Sequence, residues 1–194
     1  MENVRQGYIA FYNLNNWFYS EFSKEDINFM EQKYEPLGSS STLTTGTVSN
    51  GVFVSFFLAN LLGWFYSKER TDLCLKIAIK AEDLFSPENQ TYTDIHFYYQ
   101  GLIQFYYKLR ANDGFLNKAI YYCNKQIEIS SFVSKEMKTD FPKLPRHIGY
   151  EQLAIIEKKN KNWQKVIDIC QKARKEKWNG TWKERIEEAK KHLN

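Results

Sequence analysis

Proline and glycine are scarce in this sequence, four and nine among 194 residues, so the chain has few helix breakers and few tight turns. That shortage suits long helices and argues against many short strands. Cysteine is scarcer still: Cys74, Cys123 and Cys170 are odd in number and far apart, which speaks against a disulfide framework and against a zinc knuckle. The histidines His96, His147 and His192 show no His-Glu-x-x-His or His-x-His spacing, so no metal site is expected. Missing as well are the Gly-x-Ser-x-Gly elbow, the Gly-x-x-x-x-Gly-Lys-Ser/Thr phosphate loop and the Gly-x-Gly-x-x-Gly turn. Hydrolase, nucleoside-triphosphatase and dinucleotide chemistry are therefore unsupported, and no enzymatic activity or cofactor is expected. Neither sign of charge dominates. A net charge of +4 and a pI near 8.8 fall well short of the imbalance expected when phosphate neutralisation supplies most of the affinity. Glu2 and Arg5 precede aromatics, Asn and Tyr in place of the basic, apolar and small-residue pattern of a signal peptide, so a cytoplasmic location is expected.

What the sequence does hold is one long uncharged stretch. No charged residue occurs between Glu35 and Lys68, and residues 52–66 are mostly apolar. A membrane helix needs about 20 such residues, and this run is shorter and interrupted by Ser55, Asn60 and Gly63. A buried helix with no membrane span is the expectation, membrane association the lesser alternative. Residues 1–194 read as one helical-repeat domain, too short for two comfortable cores. Residues 1–49 form an aromatic N-terminal cap and a Ser/Thr/Gly loop, and residues 50–194 form helical pairs and a closing helix. Ser23 with Asp26 predicts a capped helix that stops before Pro36-Leu37-Gly38. Residues 39–50, rich in Ser, Thr and Gly, read as a loop with little means of packing.

Beyond the loop the periodicity is helical. Leu73, Cys74, Ile77, Ala78, Ala81, Leu84 and Phe85 recur at three- and four-residue steps. Thr93 or Asp94 is expected to cap a helix with the stripe Ile95, Tyr98, Leu102, Phe105, Tyr106 and Leu109. Asn112-Asp113-Gly114 reads as a turn, and a long second arm runs from Ala119 toward Met137 before Pro142 and Pro145. Two more helices are expected over 148–159 and 162–177. Gly180 is assigned a left-handed helix end, and Thr181 with Glu184 a capping box for a closing helix over 182–193.

Residues 150–178 resemble a tetratricopeptide repeat. Tyr150, Leu153 and Ala154 fill the large, Leu and small positions of its first helix, Trp163 introduces the second, and Val166, Cys170 and Ala173 line the second. Glu157 stands where an aromatic is usual, and Trp178 where a proline often ends the unit. Residues 50–85 are similar in outline, and the middle pair has Gly101, Ala119 and Cys123 as contact points. The resemblance implies an all-α fold of stacked antiparallel helical hairpins, a tetratricopeptide-like α-solenoid with a C-terminal closing helix. All three cysteines then fall on apolar stripes and are expected in the core.

The resemblance also implies a protein- or peptide-binding scaffold or adaptor whose partner lies on the surface of the stacked pairs. In the doublets Tyr98-Tyr99 and Tyr106-Tyr107 one ring can face the core while its neighbour turns away, so Tyr99 and Tyr107, with Gln100 and Gln104, are candidate partner-binding residues. In the last pair the exposed candidates by resemblance are His147, Glu151, Ile155, Lys158 and Lys159. The alternative is nucleic acid. Residues 157–194 carry twelve basic against six acidic residues, and Lys172, Lys175 and Lys183, with Trp178 and Trp182 nearby, could hold a phosphate backbone and stack bases. A homo-oligomer stays open.

Overall fold

A computed structural model of the chain describes residues 6–36, 42–140 and 142–193. Glu2, Arg5 and residues 37–41 of the stop and loop expected near Pro36 lie outside them. Among the described residues the secondary structure is eleven α-helices and one short 3-10 turn, with no strand and two isolated bridges. The chain is all-α. It divides into two compact units, Met1–Glu88 and Asn89–Asn194.

In the first unit, α1 (Gly7–Phe11) and α2 (Asn15–Glu21) are separated by Asn13, held at φ +58. The Ser23 cap forms as expected. Its hydroxyl accepts from the Asp26 backbone N–H at 3.1 Å while Asp26 reaches back, opening α3 (Lys24–Lys33). Thr42 to Thr47 do not behave as an unpacked loop. Gly7 N–H donates to Gly46 O, Tyr8 N–H to Thr42 O and Ile9 N–H to Leu43 O, and Leu43 is wholly buried. Gly7 is required there, because its φ is +72 and a Cβ would collide with the Leu43 carbonyl. The apolar part of the uncharged stretch becomes α4 (Val54–Phe65), twelve residues long, which buries Phe57, Leu58, Leu61, Leu62 and Phe65. It packs along α5 (Thr71–Asp83), whose buried Cys74, Ala78 and Ala81 let the two helices come close. Among the described residues no helix is long and apolar enough to cross a membrane.

The second unit contains α6 (Tyr92–Lys108), α7 (Phe115–Glu128), α8 (Ser130–Asp140), α9 (Ile148–Lys159), α10 (Trp163–Lys175) and α11 (Trp182–Lys191). α6 touches α7, α8 and α9; α9 touches α7 and α10; α10 touches α11. The Asn112–Gly114 turn leads into α7 as expected. Four expectations are corrected. The cap of α6 is Thr91, whose hydroxyl accepts from the Asp94 N–H, while Glu136 accepts from the next two backbone N–H groups. The long second arm breaks at Ile129, where the Ser130 hydroxyl turns back to the Ile127 carbonyl and meets the Tyr150 hydroxyl. Lys177, at φ +70, takes the left-handed end of α10. Gly180 serves a different purpose: the Trp182 indole lies against it and leaves no room for a Cβ. Thr181 makes no side-chain cap, because its hydroxyl accepts from Arg185 Nε at 3.3 Å.

Candidate functional site

The turn between α9 and α10 sets the geometry of a surface groove. Lys161 sits at φ +58 between Asn160 and Asn162. Glu157 accepts from Asn162 Nδ2 at 2.6 Å and lies 3.7 Å from Lys165, so this acid ties the turn down. Beside the turn lies a groove of about 420 Å3, lined by Ile155, Lys158, Lys159, Lys161, Trp163 and Arg185. Its floor is apolar: Ile155 and Trp163 are half-buried, and His192 stacks on Trp163 with centroids 4.0 Å apart.

The rim is cationic, and its cations are unequally engaged. Lys158 Nζ donates to both carboxylate oxygens of Glu188 at 2.7 and 2.8 Å. That contact holds the Glu188 carboxyl below its usual range. Arg185 stands 3.6 Å from Glu151, which Arg146 also holds. Lys159 Nζ donates to the Tyr107 hydroxyl at 3.1 Å and lies 5.7 Å from that ring's centroid. Among the described residues no carboxylate pairs with Lys159 or Lys161. An anion arriving here would meet two ammonium groups not already neutralised.

Of the residues singled out from the sequence, Ile155, Lys158 and Lys159 line this groove, Tyr107 adjoins it through Lys159, and Glu151 supports Arg185. Gln100 is half-buried and Gln104 exposed on α6, and neither lines the groove. Tyr99 and His147 are not open to a partner. Tyr99 packs against Tyr98 and Tyr122, and burial pushes its hydroxyl up to about 12. His147 is 0% exposed because α9 turns its first residues inward, with the ring 4.5 Å from Tyr150. Lys161 was missed by pattern reading, since a turn lysine has no periodicity to mark it.

A second cluster lies inside the same unit. His96 and His147 are both fully buried, with centroids 4.8 Å apart, and Trp178 stacks on His96 at 5.6 Å. Gln126 aligns them: its Nε2 donates to the His96 carbonyl at 2.8 Å, and its Oε1 accepts from Gly149 N–H at 2.6 Å. His147 Nδ1 accepts from the Tyr150 N–H at 3.3 Å, which places its proton on Nε2. Among the described residues, both His96 ring nitrogens and His147 Nε2 have no hydrogen-bond partner. Burial lowers the His96 pKa to about 4 and lowers that of His147 well below its usual value. Among the described residues no three His, Cys, Asp or Glu side chains come together as a metal site. Both imidazoles are thus neutral parts of the core.

The basic C-terminal face keeps Lys172, Lys175 and Lys183 exposed, Lys183 lying 3.9 Å from Glu187. Its aromatic half is corrected. Trp178 and Trp182 are 3% and 4% exposed; Trp178 Nε1 donates to Glu176, and Trp182 Nε1 to the Trp178 carbonyl at 2.7 Å. Neither ring can stack on a base. The three cysteines are buried as expected, and burial pushes the Cys123 and Cys170 thiols up to about 12 and about 11. Compared with protein-family models, curated proteins and solved structures, the chain matches none.

Proposed function

We propose that this chain is a non-enzymatic, peptide-binding scaffold or adaptor of the cytoplasm, whose second unit stacks helix pairs in the tetratricopeptide manner. The neighbour order α6, α7, α9, α10 and α11 supports the stacking, with Ala119, Cys123, Cys170 and Ala173 buried on the second helix of each pair. The observation that carries the function is the groove beside the α9–α10 turn, apolar at its floor and cationic at its rim. Its volume lies in the range of roughly 300–1,000 Å3 typical of ligand sites, and suits one or two large side chains. The buried imidazoles reach no solvent, which favours holding a partner over turning one over. Burial of Trp178 and Trp182 leaves the nucleic-acid alternative with its lysines and without its stacking surface.

The test is selection of random displayed peptides on the immobilised protein, repeated with Ile155→Asp after circular dichroism shows that helix content is kept. Recovered sequences that bind the wild type and not the variant are expected. Recovery of no sequence, or of sequences indifferent to Ile155, contradicts the reading.

A further inference from the structure

We infer that the segment received by this groove is acidic and presents one large apolar side chain, the side chain settling on Ile155 and Trp163 while flanking carboxylates meet Lys159 and Lys161. This deepens the peptide-binding reading above and rests on it. The inference comes from matching each wall to what would satisfy it. Ile155 and Trp163 offer apolar surface that only an apolar group covers favourably. Two rim cations are already engaged, Lys158 by both oxygens of Glu188 and Arg185 by Glu151. Lys159 rests on a neutral hydroxyl, and among the described residues neither it nor Lys161 meets a carboxylate, so these two add positive charge to the rim that no partner offsets. A basic partner would bring like charges together around the apolar floor. A neutral partner would cover the floor and leave the rim's charge unused. An acidic partner alone complements both, with the charges contributing mainly to selectivity and association rate.

Lys161 provides a clean probe. Its backbone at φ +58 is one that glycine adopts without strain, so Lys161→Gly removes the ammonium group while easing the turn.

The experiment uses fluorescence polarisation on the full chain with fluorescein-labelled peptide pools. Each pool carries a central tryptophan, flanked by random mixtures of small neutral residues with Asp and Glu, with Lys and Arg, or with neither. The acidic pool is expected to bind best, and to weaken as salt is raised. Lys161→Gly should weaken it about threefold, and Lys159→Glu with Lys161→Glu on the order of tenfold while improving the basic pool. Equal or tighter binding of the neutral or basic pool, still lost on Ile155→Asp, overturns the acidic assignment and leaves peptide binding standing. No binding by any pool overturns both. Binding of a labelled single-stranded DNA that the double variant abolishes and the acidic pool does not match overturns the acidic-peptide assignment in favour of nucleic acid.

Discussion

The unit Met1–Glu88 fills its interior with Phe18, Met30, Leu58, Leu62, Phe65 and other apolar side chains, and among its described residues Ser55 is the buried polar one. The unit Asn89–Asn194 instead seals His96, Gln126, Ser130, Ser134 and His147 in its core. Both are helical, yet they are held together on different terms. An apolar interior depends on volume and tolerates swaps of similar size. A polar interior depends on hydrogen-bond geometry, which fixes one alignment of helices and leaves each lost partner expensive. The two buried histidines, His96 and His147, both lie in the second unit, so the two units should also part company with pH.

The contrast can be broken at several points. Phe65→Ala, at a side chain 1% exposed, should cost about 4 kcal/mol. Hydrogen exchange read by mass spectrometry should show the lost protection across 54–83. Gln126→Leu keeps most of the volume but strands the Gly149 N–H and removes the second bond of the His96 carbonyl, which keeps its place in the α6 ladder, at a cost of roughly 2 kcal/mol. If the milder change in volume proved harmless in urea titrations, the polar core would not be setting the alignment.

Acid sharpens the comparison further. The His96 pKa, about 4 when folded, lies below the ordinary 6.5, so the unfolded chain takes up its proton first as pH drops. Its contribution to stability is full above about pH 6.5 and is lost as pH falls toward 4. A loss on the order of 2 kcal/mol by pH 5 is expected from His96 alone, with His147, also held low by burial, adding to it. Urea midpoints of wild type and His96→Phe at pH 7 and pH 5 check this, with the variant showing the smaller shift. In the first unit the corresponding group is Asp26, held low chiefly by the Ser23 hydroxyl, so its contribution fades only in stronger acid. Ser23→Ala should cost about 1 kcal/mol in thermal melts. Smallest of all, Lys161→Gly should leave stability unchanged or raise it by less than about 1 kcal/mol.

These differences mark where the sequence could be read. The Ser23–Asp26 cap, the buried cysteines and the pairing of residues 150–159 with 163–175 were legible because each depends on neighbours a few positions apart. The His96–His147 pair was not, since it joins positions in α6 and at the start of α9 that no short spacing links. A hint did exist: His96, Tyr99, Ile103 and Tyr106 form a second stripe on α6, as expected for a helix covered by α7, α8 and α9 together. Gly180 was misjudged because a glycine beside a helix end usually serves the backbone, and here it serves the Trp182 ring. The packing of 42–47 onto α1 was hidden for the same reason: contacts through backbone carbonyls leave no mark in side-chain patterns. In the candidate site, Ile155, Lys158 and Lys159 could be named from the resemblance, whereas Lys161 belongs to a turn and Arg185 arrives from a separate helix.

The central claim, that the groove beside the α9–α10 turn takes a peptide, can be followed on the five tryptophan indole N–H signals by nitrogen-15 NMR. Adding the acidic tryptophan-bearing peptide pool, unlabelled, should shift the Trp163 signal while Trp178 and Trp182, sealed in the core, stay in place. An unmoved Trp163 under saturating peptide, or movement confined to Trp17 and Trp64 of the first unit, would contradict it.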